Sequence, residues 1–528
     1  MAGDTHVVAH LNPDLVEATI SDLQGLMQGR HLTAHELVRH YSARIAALDR
    51  AGPQLRAILE VNPDALAIAE ALDAERATRG VRGPLHGIPI LLKDNIDTAD
   101  TLLTTAGSLA LRGTRPRQDA FVAQQLRTAG AIVLGKTNLT EWANFRSPRA
   151  SSGWSARGGQ GRNPYALDRT PSGSSSGSAQ AVVANLTVVA LATETDGSIV
   201  HPAHANGIVG LKPTVGLTSR GGVIPVAHSQ DSVGVHARTV RDAAIVLGTL
   251  TGLDARDPAT HASVGRAFTD YTPFLDPNGL RGARLGVPRR IYFGYSRAAD
   301  AIAEAALRTM AALGAEVVDP ADIATAEELK QGRGELEVLL YEFKADLNAY
   351  LATRAPDPRH GDAPDVRTLA DVIAFNRDSV VELQYFGQEY LEQAEAKGPL
   401  TEAAYRTALA TNQRLARTEG LDAVLDRERL DALVVPTRHP AWPTDLINGD
   451  HVLGGSATAA AMAGYPLITV PAGYVHGLPV GITLMGRAYS EPTLLKLAYA
   501  FEQATRVRQP PDFRPTVGLD DAAGGVGG

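Results

Sequence analysis

Residues 187–199 read Thr-Val-Val-Ala-Leu-Ala-Thr-Glu-Thr-Asp-Gly-Ser-Ile, an apolar run that ends in a polar turn containing glycine. Similar short apolar runs occur at 88–92 and 131–134, each followed by a turn and a helical stretch. This alternation is typical of an α/β fold in which a large mixed, mostly parallel sheet is covered by helices on both faces. Loops at the carboxyl ends of such strands are where these folds place their sites.

The 528 residues are expected to form one domain over 1–518, followed by a glycine-rich, disordered tail at 519–528. We divide that domain, in chain order, into N-terminal helices (12–80), a catalytic core (81–325), a helical insertion (326–430) and the remainder of the core (431–518). Two pairs near the start have the spacing of a helix capping box, namely Ser21 with Gln24 and Thr33 with Glu36.

Composition excludes several classes of function. Lys and Arg number 50 against 58 Asp and Glu, a net charge of −8, so neither nucleic acid nor a membrane surface is an expected partner. The absence of cysteine excludes disulfides and thiolate chemistry. No apolar run is long enough to span a membrane, and the first twelve residues do not resemble a secretory signal. We therefore expect a soluble protein, cytoplasmic as the sequence stands, with export left open.

Three patterns match known functional motifs, but the residues around each of them do not fit that motif. Residues 130–137 match the phosphate-binding G-x-x-x-x-G-K-T pattern, but the four variable positions are an apolar run that predicts a strand. Residues 173–177 match the G-x-S-x-G elbow, but a polar, proline-containing loop precedes them instead of a strand. His201 and His204 could share a metal, yet spacing indicates no third ligand. We expect neither metal nor cofactor.

Three other features favour chemistry on an acyl group. A serine- and glycine-rich loop spans 172–178. The backbone amides of Thr195, Asp196, Gly197 and Ser198 could point into one concavity, an anion nest suited to a developing oxyanion. Lys93 ends a buried run, where desolvation can leave a neutral amine that accepts a proton. Each feature alone is more often a flexible loop or a solvated charge.

Taken together, these features resemble the amidase signature family, whose hallmark is a Gly-Gly-Ser-Ser-Gly-Gly-Ser-like loop followed by a Gly-Ser-Ile turn. Here the loop is Ser-Gly-Ser-Ser-Ser-Gly-Ser at 172–178, and the turn is Gly-Ser-Ile at 197–199. The lysine motif at 87–96 precedes both, and the likeness continues at 207–214 and 478–482. The resemblance covers nearly the whole chain and implies the amidase signature fold and amide hydrolysis without a cofactor.

The resemblance also implies the roles of individual residues. Lys93, Ser174 and Ser198 would form the catalytic triad, with Ser198 as nucleophile, Ser174 as proton relay and Lys93 as terminal base. A cis peptide would join Gly173 to Ser174. Ser175 would be a structural serine that ties the network together.

One branch of the family, which removes the C-terminal amide from peptides, is especially similar at 137–146, 153–160, 194–200 and 445–451. Serines at 172 and 176 in place of glycines, and Val200 in place of arginine, favour the same branch. The implied substrate is a peptide or small-molecule amide, and we expect a monomer. Five aromatic residues could face the cleft, although each is more often core: Trp142, Phe145, Trp154, Tyr341 and Phe386.

Two alternatives remain open. The first, within the family, is a glutamine-hydrolysing amidotransferase subunit that supplies ammonia to a partner. The second, from a different class, is a nucleotide-binding protein that uses Lys136.

Overall fold

A mixed sheet, which has eleven strands in the part of the chain that the structure describes, forms the centre of the protein. The computed structural model describes residues 15–331, 333–360 and 365–518, so the predicted tail at 519–528 lies outside the described residues. The strands are β1 Ile58–Val61, β2 Pro89–Lys93, β3 Thr114–Arg115, β4 Ile132–Thr137, β5 Trp154–Ser155, β6 Gly159–Gln160, β7 Val189–Glu194, β8 Val209–Lys212, β9 Ser232–Ala237, β10 Arg284–Gly286, β11 Glu316–Val318, β12 Ala355–Pro356, β13 Ala432–Pro436, β14 Leu467–Val475 and β15 Leu478–Met485. The central sheet has the order β1-β4-β2-β7-β9-β8-β14-β15-β13-β10-β11.

Sixteen α-helices are found within the described residues. They are α1 Ile20–Gln28, α2 Ala34–Arg44, α3 Ala65–Arg79, α4 Phe121–Thr128, α5 Ser176–Val183, α6 Val200–Ala205, α7 Val240–Leu250, α8 Arg297–Ala312, α9 Ala326–Lys330, α10 Arg333–Thr353, α11 Leu369–Asp378, α12 Glu389–Glu395, α13 Ala403–Ala416, α14 Asp422–Arg427, α15 Thr458–Ala463 and α16 Glu491–Thr505. None of them is both long and apolar enough to cross a membrane.

The sheet confirms the α/β class, but its parallel share is smaller than the alternation of elements predicts. Within the described chain, four of its ten neighbouring pairs are parallel and six are antiparallel. One cause is the connection between β14 and β15. Only His476 and Gly477 separate these strands, and both have positive φ, 50° and 79°, as in the two-residue turns that return a chain antiparallel.

The parallel pair of β2 and β7 positions the candidate site. Leu92 pairs with Leu191 in this register, so Lys93 and the turn that follows Glu194 emerge at the same edge of the sheet. β7 leads through that turn into α6, and α5 follows the serine-rich loop. The lysine motif and the turn after β7 therefore converge because β2 and β7 are hydrogen-bonded neighbours. The serine-rich loop joins them through side-chain hydrogen bonds of Ser174 and Ser175.

The predicted helix starts are partly confirmed. Thr33 and Glu36 form the capping box expected for α2. The first helix begins earlier than predicted, with a capping box made by Thr19 and Asp22, since a carboxylate accepts the cap amide more strongly than the Gln24 side chain would. Gln24 instead donates to two backbone carbonyls in the loop before β2.

Candidate active site

Lys93 is a buried basic residue of the site. Its Nζ lies 2.8 Å from Ser174 Oγ, 2.8 Å from Thr193 Oγ1 and 3.2 Å from Thr193 O. Burial lowers the pKa of Lys93 to about 7, against the opposing charges of Asp231 and Glu194. A neutral amine has two N–H groups and one lone pair. The two Thr193 oxygens can accept both N–H groups, which leaves the lone pair for the Ser174 hydroxyl.

Ser174 lies in a loop whose backbone is closely packed. The Gly173–Ser174 peptide is cis, and Ser174 O accepts a hydrogen bond from Thr140 N at 2.9 Å. A Cβ at position 173 would lie only 2.2 Å from Thr140 Oγ1. The loop therefore requires glycine immediately before Ser174.

Ser175 joins the serine-rich loop to the end of β7 and to the turn that follows it. Its Oγ donates to Thr193 O at 2.9 Å and accepts from Thr193 N at 3.3 Å. Its backbone N–H donates to Ser198 O at 3.2 Å. These bonds hold the Ser174 and Ser198 segments together.

The turn from Thr195 to Ser198 presents unused backbone donors. Within the described residues, its four amides donate to no protein acceptor, whereas the next two, of Ile199 and Val200, donate to Glu194 Oε2 at 2.7 and 3.0 Å. The turn depends on Gly197, which has φ of 80°. Such a turn can receive an oxyanion.

Ser198 lines a cavity of about 300 Å³. The cavity walls come from distant parts of the chain: residues 144 and 152, the serine-rich loop, the turn at 195–198, residues 291–292, the end of α9, and residues 438–459. Arg438 and Asp450 are the charged groups of the last segment, and Asp450 accepts from Ser152 N at 3.1 Å and from Trp442 Nε1 at 3.2 Å. Ile291, Tyr292 and Val452 add apolar surface.

Sequence reasoning missed this wall and named aromatic residues that lie elsewhere. All five of them pack inside hydrophobic clusters, and none lines the cavity. Arg438, in contrast, follows the carboxyl end of β13 by two residues. Because β13 runs antiparallel to β2 and β7, the strand-end rule that identified Lys93 does not extend to Arg438.

Residues of the phosphate-loop pattern and of the histidine pair make structural contacts within the protein. Lys136 is buried and donates to Ile96 O at 2.6 Å and to Thr104 Oγ1 at 2.8 Å. His204 accepts from Gly481 N at 2.8 Å, and its other ring nitrogen contacts a backbone carbonyl at 3.1 Å. Within the part of the chain that the structure describes, a single group of three potential metal ligands occurs, at His228, Glu342 and Asp346. It lies outside the cavity.

The fold and the site together define an amide-hydrolysing enzyme. The family model described as Amidase matches residues 36–495, and the chain belongs to this family, the amidase signature family. The native peptide amidase from Stenotrophomonas maltophilia, a solved structure, is 52% identical, with a TM-score of 0.88 and coverage of 94% of this chain and 99% of that chain. A probable amidase from Arabidopsis thaliana is 43% identical over 94% of this chain and 92% of its own length. A glutamyl-tRNA(Gln) amidotransferase subunit from Pseudomonas aeruginosa is 35% identical over 94% of this chain and 100% of its own length.

Proposed function

We propose that this enzyme hydrolyses the C-terminal amide of peptides, or related primary amides, to the carboxylic acid and ammonia. In this proposal Ser198 is the nucleophile, Ser174 the proton relay and Lys93 the base, and residues 1–518 act as one catalytic domain. The observation that carries the proposal is the 2.8 Å contact between the buried Lys93 Nζ and Ser174 Oγ, beside a cavity lined by Ser198.

Acylation begins with neutral Lys93. The Ser198 proton moves to Ser174 Oγ while the Ser174 proton moves to Lys93 Nζ, and Ser198 Oγ forms a bond to the amide carbon. The carbonyl oxygen becomes an anion that accepts hydrogen bonds from the amides of residues 195–198. When the C–N bond breaks, the proton returns through Ser174 to the leaving nitrogen, and ammonia departs.

Deacylation uses the same groups in reverse order. Water loses a proton through Ser174 to Lys93 and attacks the acyl carbon, and the same four amides stabilise the second anion. The proton then returns to Ser198 Oγ as the carboxylic acid leaves. Both halves need an unprotonated amine at Lys93, which its burial supports.

The likeness to the Stenotrophomonas enzyme supports a peptide amide over glutamine as substrate, because the chain is 52% identical to that peptide amidase and 35% identical to the Pseudomonas amidotransferase protein. The cavity offers both apolar walls, at Ile291 and Val452, and polar groups, at Asn144 and Arg438. A peptide end presents both kinds of surface.

The test uses purified protein with a dipeptide amide, the matching free acid and glutamine, while ammonia and product mass are followed. Ser198→Ala is measured in parallel, with Ser263→Ala as the control, since Ser263 is also buried but donates to a backbone carbonyl elsewhere. We expect ammonia from the dipeptide amide alone, an intact dipeptide acid, and a loss of orders of magnitude in Ser198→Ala only.

Other outcomes decide between the alternatives. Ammonia from glutamine, or none until a partner protein is added, would assign the chain to the ammonia-supplying branch. Near-full activity in Ser198→Ala would overturn the assignment of the nucleophile.

A further inference from the structure

The helical insertion contacts the turn at 195–198, here called the nucleophile turn, through a pair of carboxyl groups. Glu335 lies in α10, and its carboxyl group lies next to that of Asp196, inside the turn. Two carboxyl groups can share a hydrogen bond only when one of them is protonated. Burial raises the pKa of both groups, and that of Glu335 lies well above its ordinary value.

The pair is connected to two of the four residues of the turn. Thr458 Oγ1 donates to Asp196 Oδ2 at 2.8 Å. Gln230 Nε2 donates to Glu335 Oε1 at 2.9 Å and also to Thr195 O, at 3.4 Å. Glu335 therefore contacts Asp196 directly and Thr195 through Gln230. The amides of Asp196 and Thr195 are two of the four unused donors of the turn.

Charged groups reach this pair from several elements. Arg438, after β13, and Lys212, at the end of β8, favour an ionised Asp196, and the charge of Asp196 in turn disfavours ionisation of Glu194. Lys330, at the end of α9, lines the same cavity as Asp196. The nearby cations favour loss of the proton, so burial and the mutual contact of the two carboxyl groups retain it.

We propose that Glu335 is a positioning residue that holds the nucleophile turn through a proton shared with Asp196, so that the helical insertion contributes to catalysis without supplying a reacting group. This inference rests on the proposed function. When the shared proton is lost, two adjacent carboxylates repel each other and the turn amides leave their positions. The rate constant kcat then falls on the alkaline side, separately from the acid limb that Lys93 causes, and KM changes little.

The test compares three variants of the full-length enzyme across the pH range with a dipeptide amide. In Glu335→Gln the side-chain amide can donate to Asp196 and accept from Gln230 at every pH, so the alkaline limb should disappear while kcat near neutral pH stays within about twofold. Glu335→Leu has neither group and should lose about tenfold in kcat at every pH. Glu337→Gln is the matched control, since this residue of the same helix pairs with Lys397 instead.

Each outcome bears on one proposal only. An alkaline limb that is the same in wild type and Glu335→Gln, or that is missing from the wild type, would overturn the role of Glu335. Absence of ammonia release that depends on Ser198 would instead overturn the proposed function. Circular dichroism and thermal unfolding of the three variants show whether a loss of kcat reflects misfolding.

Discussion

The protonation of Lys93 should set the acid limb of the pH–rate profile. Burial lowers its pKa from 10.5 to about 7, a preference for the neutral amine worth about 5 kcal/mol. About half of the enzyme then carries the neutral base at pH 7, about a tenth at pH 6 and about one hundredth at pH 5. Because only the neutral amine accepts the Ser174 proton, kcat/KM should fall about tenfold for each pH unit below about 6.

Asp231→Asn should move this limb to lower pH. The Asp231 charge favours the ammonium form of Lys93, so its removal lowers the lysine pKa and leaves more neutral base in acid. The contacts can survive the change: Oδ2 accepts from Val226 N at 2.8 Å and Ala227 N at 3.0 Å, and Oδ1 accepts from the Thr195 hydroxyl at 2.6 Å. An asparagine oxygen keeps the two backbone bonds, and its amide donates to a rotated Thr195 hydroxyl.

The difference between variant and wild type should be greatest between about pH 6 and 7, because the pKa of Asp231 is itself raised to about 6 and a protonated carboxyl exerts no charge. The assay is ammonia release from a dipeptide amide at low substrate concentration. Asp49→Asn is the matched control, since burial also raises the pKa of Asp49 to about 6 and its charge does not act on Lys93. A limb that moves to higher pH, or a wild-type rate that does not vary with pH, would refute the reasoning.

Three further predictions concern the turn, the insertion and metal dependence. Gly197→Ala should lower kcat at least about 100-fold and also lower Tm, because the new Cβ would lie 2.1 Å from His201 Nδ1 at a φ of 80°; an unchanged kcat would contradict the role of the turn. Arg146→Met should destabilise the protein by about 3–5 kcal/mol in urea unfolding, because it leaves Glu141 and Glu382 facing each other without their buried cation; an unchanged midpoint would show that the cation is dispensable. Chelators should leave kcat for ammonia release from a dipeptide amide unchanged. Strong inhibition by a chelator would contradict a mechanism that uses only serine and lysine.

Strands that are buried on both faces were predictable from the sequence. The runs at 88–92, 131–134 and 187–192 correspond within three residues to β2, β4 and β7, since a strand covered on both faces is a continuous apolar run. The edge strand β1 was not predicted, because its four residues lie between helices and pair only with the distant β4. The local sequence pattern of a short edge strand does not indicate which distant strand it pairs with.

The candidate site also has parts that were predictable from the sequence and parts that were not. Lys93 and the turn at 195–198 follow predicted strands, so their proximity follows from the rule that parallel strands end at one edge of the sheet. The cavity wall at 291–292 and 438–459 was beyond prediction, as was the contact between Asp196 and Glu335. These join segments far apart in the chain, and no periodicity in either segment refers to the other.

The adjacency of β2 and β7 has a consequence for redesign of this enzyme. Lys93 and the turn at 195–198 are fixed to each other by the hydrogen-bond ladder of two neighbouring strands. Most of the cavity wall, in contrast, is supplied by segments outside that ladder. A mutant library confined to residues 291–292 and 438–455, which leaves Thr458 and its bond to Asp196 unchanged, can therefore sample new amide preferences while the spacing of the reacting groups stays constant. Selectivity and turnover are separable engineering targets in this architecture.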